Sequence, residues 1–122
     1  MKRAARPTVF HVETLEPGLM LVEVSGDLPD AVAVRWAAVL NGVIAEGPTV
    51  IAVDLRGCPW IDPICSSALL AASSTLRARG GDGVRLVMYP DSPLDLELGE
   101  LVVGELPVHD SVSEALLSVQ LQ

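Results

Sequence analysis

The period of the hydrophobic pattern changes several times along the chain, and each change marks an expected element. Residues 8–15 (TVFHVETL) and 19–25 (LMLVEVS) read as two strands joined at Pro17-Gly18, where proline presets one backbone angle and glycine permits the next. After Gly26 the spacing becomes helical: Val32, Trp36, Val39, Leu40 and Val43 recur at intervals of three and four, with Asp30 as candidate N-cap and Gly47-Pro48 as the stop. The run 49–55 (TVIAVDL) is short, β-branched and almost wholly apolar, as expected of a central strand buried on both faces. A second helical run follows, through Leu76 to Arg77 and Arg79, whose charges suit the negative end of a helix, and Gly80-Gly81 ends it. Residues 83–89 (GVRLVMY) predict another buried strand. The remainder predicts a short helix from Ser92, a last short strand in ELPVHD and a final amphipathic helix. In that helix Asp110 or Ser111 is the cap, and Val112, Ala115, Leu116 and Val119 share a face.

Strands alternating with helices in the second half argue for a mixed sheet with helices packed on it. The chain has 122 residues, half of them apolar, which suits one compact domain with a small-aliphatic core. The organisation expected is a basic tail over residues 1–7 and a single α/β domain over 8–122. No repeat or linker interrupts it.

Charge and composition narrow the function. Sixteen acidic against eight basic residues give a net charge of −8, and no Lys or Arg follows Arg85. Such a surface repels phosphate backbones, so nucleic acid is not an expected partner. The basic start, with Lys2, Arg3 and Arg6, reads as a frayed terminus. No apolar run approaches the roughly 18 residues of a membrane span, and no signal-type segment follows the basic start. The expectation is a cytoplasmic protein without membrane insertion. Cys58 and Cys65 are too few for a disulfide framework and lack zinc-ligand spacing, so reduced thiols and no metal are expected. No P-loop or dinucleotide fingerprint occurs, GGDG reading as a loop, and no cofactor is expected.

The segment WIDPICSSALL, residues 60–70, concentrates the candidate chemistry. Asp62-Pro63 is a self-consistent helix start: the carboxylate accepts from a first-turn amide, and proline at the first helical position forfeits an N–H that has no partner there anyway. Ser66 and Ser67 lack a nucleophile elbow, and His11 and His109 lie near strand patterns at opposite ends with nothing marking either as a base. Asp54 and Asp62 read as a strand end and a helix cap rather than a catalytic carboxylate pair, so no enzyme is expected. Near a helix start Cys65 is either an activated thiolate or a small buried residue.

With the elements placed, the chain resembles the STAS domains, the family of sulfate-transporter cytoplasmic domains and bacterial anti-sigma factor antagonists. Gly26, Asp27 and Leu28 match its strand-end pattern. Asp54, Leu55, Gly57, Pro59, Trp60, Ile61 and Asp62 match its signature, Ala68, Leu69 and Leu70 the face of its second helix, and Gly80-Gly81 that helix's stop. The close LGELVVGELPVHDSVSEAL is similar through Gly99, Leu101, Leu106, Val108, Ser111, Glu114, Ala115 and Leu116. The resemblance implies a STAS-like single domain: a mixed four- to five-stranded sheet with about four helices.

It also implies a non-catalytic, protein-binding regulator of a partner-switching pathway, an anti-anti-sigma factor whose partner is an anti-sigma factor kinase. The family's phosphoacceptor follows the signature Asp, but here that position is Pro63, and Ile64 replaces a second common serine, with Cys65 in place of a glycine. Partner contact is expected at Asp27, Asp30, Asp62, Pro63, Ile64, Cys65 and Ser66. Any retained phosphorylation falls on Ser66 or Ser67, near enough to the positive helix end to be held there. The alternative is a STAS-like structural subunit of a transporter or sensor complex. An anion site at the helix start ranks last, since Pro63 removes an amide and the domain is acidic.

Overall fold

The computed structural model describes residues 7–89 and 106–120, with side chains as far as Leu116. Strand β1 (Val9–Glu16) and strand β2 (Leu19–Ser25) form the expected hairpin. Its turn places Gly18 at φ 84°, a left-handed conformation that suits a residue without Cβ. The Gly18 carbonyl accepts from Thr49 N at 2.8 Å and Val50 N at 3.2 Å, tying the hairpin turn to the start of strand β3 (Val50–Gly57). Helix α1 (Ala33–Ala45) lies between β2 and β3 in the chain, and helix α2 (Pro63–Ala78) between β3 and strand β4 (Gly83–Val87). Strand β5 (Val108–His109) and helix α3 (Val112–Gln120) complete the described chain.

The five strands lie in the order β1-β2-β3-β4-β5, with β1 antiparallel to β2 and the other pairs parallel. This is the expected mixed sheet with β3 at its centre. Three α-helices are present among the described residues; the predicted helix from Ser92 lies outside them, as do residues 1–6, Gly99 and Leu101.

Strand alternation divides the sheet into two faces. Met20, Val22, Val24, Ile51, Val53, Leu55, Val84 and Leu86 join Trp36, Leu40, Val43, Ile44, Leu69, Ala72 and Leu76 in one apolar core beneath α1 and α2. The opposite face carries the other parity: His11, Glu23, Asp54 and Val87 lie side by side across four strands.

Helix ends follow local chemistry. Beyond α2, Gly80 N donates to Arg77 O and Gly81 N to Leu76 O, a Schellman stop with Gly80 at φ 86°. Arg79 donates from Nη1 to the Ile44 carbonyl at 3.3 Å, so its charge serves the last turn of α1 as well. For α3, Ser111 Oγ accepts from Glu114 N while Glu114 Oε2 accepts from Asp110 N; Ser111 is the cap, with the reciprocal carboxylate bond displaced by one residue. The expected cap at Asp30 is not formed. Asp30 instead opens a single 3₁₀ turn (Asp30–Val32) without a side-chain cap, because Pro29 directs the chain into that turn before α1 begins.

Candidate functional site

The parallel pairing of β2 and β3 continues past both strand ends. Gly26 N donates to Gly57 O, Leu28 N to Trp60 O, and Asp62 N to Leu28 O, at 2.8 to 3.0 Å, and Leu28 and Ile61 form an isolated parallel bridge. Two loops that the sequence separates are thereby one backbone unit. Leu28 and Ile61 are both fully buried, each stabilising the unit by about 1.5–3 kcal/mol relative to exposure.

Directly after the bridge, Asp62 leaves the extended conformation and caps α2: its Oδ1 accepts from Ile64 N at 3.0 Å, and Pro63 occupies the first helical position. The Asp62-Pro63 helix start inferred from the sequence is therefore present in full. The first turn is held from beneath by Trp36, whose indole N–H donates to the Cys65 carbonyl at 3.0 Å. Trp36 is fully buried and stacks on Phe10 with centroids 5.4 Å apart, and the Arg35 guanidinium lies over the Phe10 ring, 5.3 Å from its centroid. Thr8 Oγ1 donates to Asp27 O at 2.6 Å, fastening β1 to the same loop. This support from Thr8, Phe10 and Arg35 escaped the sequence reading, which has no means of pairing a strand residue with a helix residue far along the chain.

The residues expected to contact a partner do not all reach the surface. Asp30, Pro63 and Ile64 are exposed and Asp62 is half-exposed, so these four share one accessible patch at the start of α2 and the loop beside it. Ile64, at 56%, is among the most exposed large apolar residues. Asp27, Cys65 and Ser66 are buried beneath that patch and act as supports.

The two candidate phosphoacceptors also separate. Ser66 is 1% exposed and donates from Oγ to the Pro63 carbonyl at 2.9 Å, so its hydroxyl is both shielded from solvent and engaged, whereas Ser67 is exposed. Cys65 is the small buried residue rather than the activated thiolate. Burial, with Asp62 and Asp30 nearby, pushes its thiol up to about 11, and its Sγ donates to Pro29 O at 3.5 Å. Cys58 is likewise raised to about 11 by burial, and donates to Trp60 O at 3.2 Å.

Asp54 and Asp62 do not form a carboxylate pair. Asp54 is buried on the face opposite α1 and α2 and receives both Nε (3.0 Å) and Nη2 (2.7 Å) of Arg56, a bidentate ion pair that raises the arginine's pKa. His11 and His109 lie on opposite edge strands, β1 and β5. No helix among the described residues is long and apolar enough to cross a membrane.

No family model and no curated protein matches the chain. Solved structures do. An anti-sigma factor antagonist from Mycobacterium paratuberculosis superposes with a TM-score of 0.79 at 21% identity, over 93% of this chain and 95% of that one. The Bacillus cell fate determinant SpoIIAA in its phosphorylated form superposes at 0.66 and 18% identity, over 91% and 99%. A sulfate transporter family protein from Wolinella succinogenes gives 0.65 at 28% identity, over 89% and 90%. The class these likenesses define is the STAS fold. Within it, this chain is similar to the anti-sigma factor antagonists over nearly its whole length.

Proposed function

We propose that this protein is a non-catalytic regulator of anti-sigma factor antagonist type, which binds an anti-sigma factor kinase through the start of α2 and the 26–30 loop. The observation that carries this reading is the exposed patch of Asp30, Asp62, Pro63 and Ile64 over a buried, hydrogen-bonded base. Carboxylates around an exposed aliphatic side chain offer a partner both charge complementarity and an apolar anchor. The likeness to structures described as anti-sigma factor antagonists supports the same reading.

Regulation departs from the usual pattern. Pro63 holds the acceptor position without a hydroxyl, so the antagonist is constitutive towards its kinase, or is switched at Ser67, the exposed serine of the first turns of α2.

Affinity capture from the source organism's lysate tests the proposal, with wild-type protein and an Ile64→Asp variant compared side by side. Recovery of a small ATP-binding anti-sigma kinase by the wild type and its loss from the variant is the expected result. Recovery of transporter or sensor subunits would replace this reading with that of a scaffold subunit, for which the likeness to the Wolinella succinogenes protein is the precedent.

A further inference from the structure

The sheet face opposite α1 and α2 carries a cluster that the partner surface does not use. His11 and Glu13 are two residues apart on β1 and so project from the same face, while His11 sits directly opposite Glu23 on β2. The antiparallel register thus brings together two residues of one strand and one of the next. One imidazole nitrogen and one carboxylate oxygen from each glutamate all lie within 4.8 Å of one another. His11 Nε2 is 3.5 Å from Glu13 Oε2. His11 and Glu13 are open to solvent, and Glu23 is half-buried.

His11 and Glu23 also line a cleft of about 480 Å³ whose further walls include Asp54, Arg56 and Tyr89. Because Arg56 is engaged in both of its bonds to Asp54, its charge is partly compensated beside the cluster. Two carboxylates and an imidazole thus present three donor groups from paired strands. The cleft side is open for water or a small ligand to complete a coordination sphere.

We propose that His11, Glu13 and Glu23 bind a divalent transition-metal ion of the zinc type, at a site separate from the α2 surface. The donor set decides the class of ion. Zinc takes imidazole nitrogen and carboxylate oxygen together and commonly uses three protein ligands plus water. Calcium takes six to eight oxygen donors, and magnesium an octahedral oxygen shell, neither of which this triad supplies. Imidazole further favours the later first-row metals over manganese. The chain as a whole carries a net charge of −8, which favours association with cations over anions. Sequence reading passed over the site because its donors combine i, i+2 spacing with a cross-strand pair, a pattern visible only once the hairpin register is known.

The test is isothermal titration of the metal-free full chain with zinc chloride near neutral pH. His11→Gln, Glu23→Gln and His109→Gln variants are titrated in parallel, and the wild type is repeated in excess magnesium. Saturable binding of a single zinc ion that persists in magnesium is expected, weakened by about tenfold or more in His11→Gln and Glu23→Gln and unchanged in His109→Gln. The His11 side chain is exposed, so circular dichroism should show its variant folded as the wild type is. Absence of saturable binding would overturn the proposal. So would binding that survives His11→Gln unchanged, or displacement of zinc by magnesium, which would mark a diffuse attraction to acidic residues.

Discussion

The indole N–H of Trp36 donates to the main-chain carbonyl of Cys65 at 3.0 Å, joining the first turns of α1 and α2 beneath the candidate partner surface. Trp36→Phe keeps an aromatic ring against Phe10 but removes the donor and some buried volume. A loss of about 1–3 kcal/mol is expected in urea denaturation. A midpoint unchanged from wild type would show that the bond holds nothing in place.

Asp62 carries the other constraint on that turn. Asp62→Ala removes the acceptor for Ile64 N and should lower stability by about 1 kcal/mol, with Asp62→Asn close to wild type because the amide oxygen can still accept. Equal losses in both variants would mean that the carboxylate's charge, rather than the cap, matters.

Restoring a hydroxyl at the acceptor position tests the regulatory reading. Pro63→Ser should fold with a loss of about 0.4–1 kcal/mol, since proline fits the first helical position without strain. Incubated with the captured kinase and ATP, it should gain one phosphate by intact-mass measurement that the wild type lacks. A variant left unmodified by a kinase that binds it would argue against a cognate pairing.

The two thiols are expected to be inert in the native state. With both pushed up to about 11 by burial, thiolate is scarce near neutrality, so iodoacetamide should modify neither Cys58 nor Cys65 until the chain is denatured. Because the folded values exceed those of the unfolded chain, the stability these thiols lend is fully present below about pH 9 and declines as pH rises towards 11. Rapid native alkylation at pH 8 would contradict the burial.

His109 gives the opposite slope. Burial and then Arg85 lower its pKa, while Glu114 and Asp110 partly offset them, and its Nε2 is buried with no hydrogen-bond partner among the described residues. The folded state therefore prefers the neutral ring. Its contribution is present above the unfolded value near 6.5 and is lost as pH falls through the lower folded value. A His109→Gln variant should show a shallower decline of the urea midpoint between pH 7 and 5 than the wild type; matching profiles would exclude this group.

Much of this architecture is legible in the sequence because it rests on local rules. Pro17-Gly18, Gly80-Gly81 and Asp62-Pro63 each specify their own backbone, and the apolar run of β3 announces burial on both faces. What stays hidden depends on contacts between distant residues. Asp30 looks like a cap when read alone, yet Pro29 and the 3₁₀ turn give it a different place. Nothing in the local sequence separates Ser66 from Ser67, and only packing against the core buries the first and exposes the second. The Leu28–Ile61 bridge belongs to the same category.

Helices α1 and α2 are tied near both ends: Trp36 to Cys65 where they begin, Arg79 to Ile44 where they finish. Two parallel rods fastened at both extremities behave as a rigid frame that resists sliding and splaying. On the proposed reading, a partner arriving at the α2 start would meet a preformed surface, with little ordering entropy to lose on docking. Association should be governed by orientation and charge steering, with a rate that falls as salt is added, and not by a slow rearrangement of the domain.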